Sequence, residues 1–337
     1  MPAGRGRRVA GRGRRVAGCL ARSCNAGARA RTVTGMGDVI VVDSLSRSYG
    51  TVRALDGVSF TVGEGEVFAL LGPNGAGKST TVEILEGHRE RTSGDVRVLG
   101  YDPATGGRPY RERIGVVLQE AGFDEEFRVV ELVEMYAGLY PRHRDVEELI
   151  SLVGLSDKRS ERTKTLSGGQ RRRLDLALGL VGDPELLFLD EPTTGFDPTA
   201  RHRAWELIAS LRGLGTTIVL TTHYMEEAER LADRVAVLVG GRIVAEGAPA
   251  DLMAQDSTAV IAFRLPPGTD VGSLPSLSSA PRVDGASVTC ETVRPTADLL
   301  ALTGWAGARG LELADLTLSR PSLEDVYLAL TGDHGDE

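Results

Sequence analysis

Gly72-Pro73-Asn74-Gly75-Ala76-Gly77-Lys78-Ser79-Thr80 fits the pattern G-x-x-x-x-G-K-[ST] at every fixed position. The apolar run Glu66–Leu71 before it reads as a buried parallel strand, and Ser79–Glu86 after it reads as a helix. That is the setting a phosphate-binding loop requires. The glycines let the backbone curl so that successive N–H groups and the helix N-terminus face one anion, which suits a polyphosphate. Lys78 is placed to reach the β- and γ-phosphates and the Ser79 hydroxyl to ligate Mg²⁺. Many unrelated nucleotide hydrolases carry such a loop, so the remaining sites decide the class.

Working outward, Leu186–Leu189 is an apolar strand that ends in Asp190 and Glu191. An aspartate there can hold Mg²⁺, and the adjacent glutamate can take a proton from water or aim it. The strand Ile114–Leu118 ends in Gln119 and the strand Thr217–Leu220 runs into Thr221-Thr222-His223. Polar residues at the carboxyl ends of buried strands in an open α/β sheet point at the ligand crevice. Gln119 is thus a candidate for the Mg²⁺ shell or for orienting water, and His223 for sensing a γ-phosphate. Leu166-Ser167-Gly168-Gly169-Gln170 opens a second helix with an anion-binding start, Ser167 being a good N-cap. Two phosphate grips in one chain suggest two copies facing each other, and Thr194-Gly195-Phe196-Asp197-Pro198 is a tight turn suited to joining them. Tyr49, 23 residues ahead of Gly72 in the first turn, offers a ring on which a purine can stack.

The 337 residues suffice for one large domain and a small one. The net charge is −8, and residues 1–35 hold nine arginines without an acid, leaving −17 on the rest. An acidic body argues against a nucleic-acid surface. The first 35 residues contain the tandem repeat Gly4–Ala10 and Gly11–Ala17, cannot bury apolar surface, and are expected to be disordered. An RNA- or lipid-binding arm and a targeting peptide are open readings of this segment. The favoured one is residues translated upstream of a start at Met36, because globular patterning begins directly after it. Cys19, Cys24 and Cys290 have no metal-ligand spacing and imply no disulfide framework, which fits a reducing cytoplasm. No run of about 18 apolar residues occurs, so a transport role needs a pore from another polypeptide.

With these motifs in this order, the chain resembles the nucleotide-binding subunit of ATP-binding-cassette (ABC) transporters over roughly residues 38–250, Leu166–Gln170 being the specific element. The resemblance implies an α/β P-loop NTPase fold with an inserted helical subdomain, about residues 120–184. It implies ATP and Mg²⁺ as cofactors and Tyr49 as the adenine-stacking aromatic. Gly72 to Thr80 hold the phosphates, with Lys78, Ser79 and Thr80 as phosphate and Mg²⁺ contacts. It further implies Gln119 as the Q-loop, Ser167, Gly168, Gly169 and Gln170 as a signature acting on the partner's ATP, Glu191 as catalytic base, Asp197 as D-loop and His223 as switch. Phe196 stands where the family more often has leucine.

Residues 251–337 read as a small α+β accessory domain: strands Val260–Leu265, Ala286–Thr292 and Leu311–Leu318, a helix Ala297–Ala308, and a closing helix capped by Ser322 with Leu323, Val326, Tyr327 and Leu330 on one face. That closing segment is similar to the C-terminus of daunorubicin-resistance-type export ATPases. The expected protein is therefore a homodimeric ATPase at the cytoplasmic side of a membrane, peripheral to a separate polytopic subunit that exports a hydrophobic drug, antibiotic or lipid. The alternative is a soluble ABC-type ATPase of assembly, repair or translation.

Overall fold

The structure is a computed structural model and describes residues 37–118, 122, 126–255 and 258–331. Two long strands, β1 (Asp38–Tyr49) and β2 (Val52–Gly63), pair antiparallel around a turn at Gly50, whose φ of +59° suits glycine. Strand β3 (Val67–Leu71) leads into the phosphate loop, α1 (Lys78–Leu85) follows, and β4 (Ser93–Val98) returns to pair with β1. Strand β1 is irregular past Val42. Ser44, at φ +52°, forms a bulge across which the pairing resumes at Leu45.

After α2 (Gly107–Arg111) and β5 (Ile114–Val117), the stretch expected to be helical breaks into α3 (Val129–Ala137), α4 (Val146–Leu152) and α5 (Gly168–Leu180), joined by loops and single turns. Asp145 caps α4 and Ser167 caps α5. Val130, Val133, Leu149 and Val153 are buried as their spacing predicts, whereas Met135 and Leu139 are exposed.

Four more strands join β3 and β5 in a second sheet: β6 (Leu186–Asp190), α6 (Pro198–Gly213), β7 (Thr217–Thr222), α7 (Met225–Leu231), β8 (Arg234–Val239), β9 (Arg242–Gly247) and α8 (Pro249–Gln255) follow in turn, with β5 at one edge. The order is β5-β6-β7-β3-β8-β9, parallel except for the final β8–β9 pair. Strand β3 shows why the sheet is continuous apolar sequence. Val67, Ala69 and Leu71 enter one core with the helices α3 to α7, while Phe68 and Leu70 enter another with the antiparallel sheet. Phe60 of β2 stacks on Phe68 of β3 at 5.1 Å, pinning the two sheets together.

The third sheet is antiparallel, in order β11-β12-β10-β13, and comprises β10 (Ala259–Arg264), β11 (Arg282–Asp284), β12 (Ser287–Thr292) and β13 (Ala314–Ser319). Helix α9 (Pro295–Ala308) lays Leu302, Trp305 and Ala306 on Ile261, Phe263 and Val288. Strand β13 begins three residues later than Leu311, because its partner β10 ends at Arg264, which pairs with Ala314. Helix α10 (Leu323–Thr331) then comes back to α7 and α8, with Leu323 buried and its N–H donating to Glu229 Oε1 at 2.7 Å.

Candidate functional site

The parallel sheet gathers the polar residues at the carboxyl ends of neighbouring strands, where α/β sheets bind ligands. The phosphate loop leaves β3, Asp190 closes β6 with Glu191 just beyond it, and Thr221 and Thr222 close β7 ahead of His223. Gln119 lies outside the described residues.

Loop geometry follows from the glycines. Gly77 has φ +107°, and a Cβ there would stand 2.7 Å from the Ala54 carbonyl oxygen and 2.6 Å from Leu55 Cδ2. Ala76 N–H donates to Pro73 O at 3.2 Å, closing the turn that carries Asn74 and Gly75. The Lys78 ammonium donates to the carbonyls of Gly72 (2.7 Å) and Pro73 (3.2 Å), so it lies folded against its own loop. Burial lowers its pKa, while the carboxylates of Glu191 and Asp190 act to raise it. Ser79 and Thr80 follow in the first turn of α1.

Thr221 organises the opposite wall. Its hydroxyl donates to Asp190 Oδ1 and accepts from the Glu191 N–H at 3.1 Å, and its carbonyl accepts from the same N–H. Glu191 has φ +44°, a left-handed backbone that costs a non-glycine residue on the order of 1–3 kcal/mol. Its two carboxylate oxygens are held separately: Oε2 accepts from Thr194 Oγ1 at 3.0 Å, and Oε1 lies 3.2 Å from His223 Nδ1. Behind this turn the buried Glu227 of α7 accepts from Thr193 Oγ1 (2.8 Å) and Trp205 Nε1 (3.0 Å). Lys78, Asp190, Glu191 and His223 are thereby drawn together by sequence-distant strands.

The other candidates sit elsewhere. Ser167 and Gln170 form a reciprocal capping box, Ser167 Oγ accepting from Gln170 N and Gln170 Oε1 from Ser167 N. Asp197 caps α6 by accepting from Ala200 N at 2.9 Å. Gly169 of the capped turn faces Ala200, so these two helix starts are neighbours. Gly168 opens α5 directly after the cap. Tyr49 ends β1, partly exposed; the Arg47 guanidinium lies over its ring at 4.6 Å and Arg89 donates to its hydroxyl at 2.5 Å. Sequence reasoning missed Thr221 and Glu227 as site-building residues. Thr221 carried a signal, being a polar residue at a core strand end; Glu227 carried none, because nothing in sequence marks a glutamate on a short helix as buried.

As to a metal, Ser79 and Asp190 offer a hydroxyl and a carboxylate, hard oxygen donors of the kind Mg²⁺ prefers.

The ABC transporter family matches residues 55–194, and a family described as the C-terminal domain of ABC transporter domain-containing protein-like chains matches residues 259–322. Among curated relatives, the daunorubicin resistance ATP-binding protein DrrA3 of Streptomyces coeruleorubidus is 40% identical over 309 residues, 87% of this chain and 96% of that one. The Nod factor export ATP-binding protein I of Rhizobium meliloti (strain 1021) is 44% identical over 304 residues, 87% and 88% of the two chains. A solved ATP-binding subunit of an ABC transporter superposes with a TM-score of 0.58 at 30% identity, over 64% of this chain and 92% of its own. A cassette captured as a dimer after hydrolysis, with ADP and phosphate bound, shares the fold at a TM-score of 0.56 and 24% identity, over 62% of this chain and 98% of its own.

Proposed function

This chain belongs to the ABC transporter family, and on that premise we propose how its residues divide the work of an ATPase that powers export through a separate membrane subunit. No helix among the described residues is long and apolar enough to cross a membrane. The observation that carries the reading is the grouping of Lys78, Asp190, Glu191 and His223 at the carboxyl ends of the parallel strands, with His223 Nδ1 3.2 Å from Glu191 Oε1 and both carboxylates acting on Lys78.

ATP enters with its adenine on Tyr49 and its phosphates along Gly72–Thr80. Lys78 leaves the Gly72 and Pro73 carbonyls for the β- and γ-phosphates, which replaces neutral acceptors by anions and offsets its desolvation. Ser79 and Asp190, with Gln119, would hold Mg²⁺, which when bound would neutralise charge on the phosphate oxygens. Glu191 aims the attacking water and accepts its proton, and His223 holds the γ-phosphate side of that geometry. Ser167–Gln170 engages ATP held by a second copy, and Asp197 lies at the same contact. Residues 38–250 form the ATPase and residues 251–337 an accessory domain. The location that follows is the cytoplasmic face of a membrane; relatives named for daunorubicin resistance and for Nod factor export support the direction, and the cargo class proposed is a hydrophobic drug, antibiotic or lipid.

Glu191→Gln tests the reading. Turnover should fall by about 10²- to 10⁴-fold, and the protein should accumulate as an ATP-bound dimer by light scattering. A variant that stays monomeric in ATP, or hydrolyses at the parent rate, would sink it.

A further inference from the structure

Arg172 lies two residues beyond Gln170 on α5, outside every motif considered above. Its guanidinium reaches the carboxyl ends of two parallel strands. Nη2 donates to the Asp190 carbonyl at 2.8 Å and to the Glu191 carbonyl at 3.4 Å; Nε donates to Pro192 O at 3.3 Å; Nη1 donates to Leu118 O. Four carbonyls on two strand ends thus face one planar cation. A guanidinium is suited to this, with donors fanned in a fixed plane.

Two of those carbonyls have particular consequence. The Asp190 C=O belongs to the peptide unit before Glu191 Cα, and the Glu191 C=O to the unit after it. Those two planes define φ and ψ of Glu191, and φ is +44°. A residue in that region persists only where its surroundings over-determine it. Thr221 holds the N–H side of the first plane. Arg172 holds the carbonyl side of both, and so fixes the direction in which the carboxylate leaves the backbone toward His223.

We propose that Arg172 is a positioning residue that clamps the two peptide planes flanking Glu191, aiming its carboxylate and tying that aim to the placement of α5. This rests on Glu191 being the base. Because α5 begins at the Ser167–Gln170 turn, a pull on that turn by ATP on a second copy is passed through one rigid helix turn to the first copy's own Glu191. The fourth contact, to Leu118, extends the clamp to the strand end that precedes Gln119.

The test uses the full chain with Mg-ATP and the variants R172K, R172M, E191Q and R172K/E191Q. Lysine keeps the charge but replaces three donor atoms fanned in one plane by a single ammonium, so it cannot hold Leu118 and Pro192 together with the two planes flanking Glu191. For R172K we expect unchanged ATP affinity and KM, with kcat lower by about 100-fold, the scale of a small misplacement of a catalytic group. R172M should lose at least as much; if it fails to fold, R172K alone decides. The double variant should turn over no more slowly than E191Q, because an arginine acting through Glu191 has nothing left to aim. Parent-like kcat in R172K, losses that multiply in the double variant, or a kcat loss matched by weaker ATP binding would each overturn the clamp while leaving Glu191 as base. Parent-like turnover in E191Q would instead overturn the assignment of Glu191, and the clamp's catalytic role with it.

Discussion

His223 Nδ1 stands 3.2 Å from Glu191 Oε1, so the residue that follows β7 and the residue that follows β6 are joined across the mouth of the sheet. The imidazole also packs on the Tyr224 ring at 4.1 Å, which limits how it can turn.

His223→Ala removes that link while leaving the phosphate loop untouched. Turnover should fall about 10²-fold or more, with ATP affinity retained. Phosphate release set beside binding of a fluorescent ATP analogue separates the two; a parallel loss of binding would place His223 in ground-state recognition instead.

Thr221→Val keeps the shape of a fully buried side chain but removes its hydroxyl. Asp190 Oδ1 loses a donor, and the Glu191 N–H keeps only the Thr221 carbonyl. The unsatisfied groups should cost about 1–3 kcal/mol, read as a lower denaturant midpoint, and turnover should drop. Thr221→Ser, which restores the hydroxyl, should recover most of both.

Gly77→Ala meets two obstacles at once, a φ of +107° and the Ala54 carbonyl 2.7 Å from the new Cβ. The loop must deform, so ATP binding should be lost or weakened by at least about tenfold, equivalent to about 1.4 kcal/mol. Equilibrium binding by the purified variant checks this. Gly50→Ala, where a Cβ meets nothing within 4 Å, is the control for left-handed strain without a clash.

Stability should carry a pH signature from a carboxyl behind the site. Glu86 is buried at the end of α1; desolvation, with Asp190 and Glu83 nearby, pushes its pKa from 4.5 up to about 8. Burial likewise raises Asp175 on α5 to about 7, against the pull of Arg172 and Arg171. The unfolded chain releases these protons near the ordinary values and the folded chain retains them, so the folded state binds more protons in between. The stability these two groups contribute is therefore full only below their ordinary values of 3.8 and 4.5, and is lost as pH rises toward about 7 for Asp175 and about 8 for Glu86. Glu86→Gln should remove one share of the decline, up to about 3 kcal/mol by pH 7, measured by denaturant unfolding beside the parent. Identical slopes in both proteins would contradict the burial argument.

What the sequence reveals about this molecule depends on whether a feature is local. The phosphate loop, the capped start of α5 and the strand Leu186–Asp190 each follow from residues within about ten positions, and each is present. The long β1–β2 pairing was less legible, because a bulge at Ser44 lets a strand survive a break in its alternation. Met135 and Leu139 keep helical spacing yet stay exposed, since periodicity names a face and only the neighbours decide whether it is covered. Arg172 was illegible for a related reason. Its partners are backbone carbonyls on β5 and β6, and carbonyls leave no trace in the choice of side chains.

Helix α10 has a further consequence, for how the chain is made. Leu323, Tyr327 and Leu330 fill the surface of α7 and α8 only after the whole antiparallel sheet has been threaded out and back. A nascent chain on the ribosome thus holds the ATPase core with an open apolar seam until α10 emerges. Any product that stops before residue 323, by stalled translation or by cleavage, keeps that seam exposed and is marked for chaperones and proteases in a way the finished chain is not.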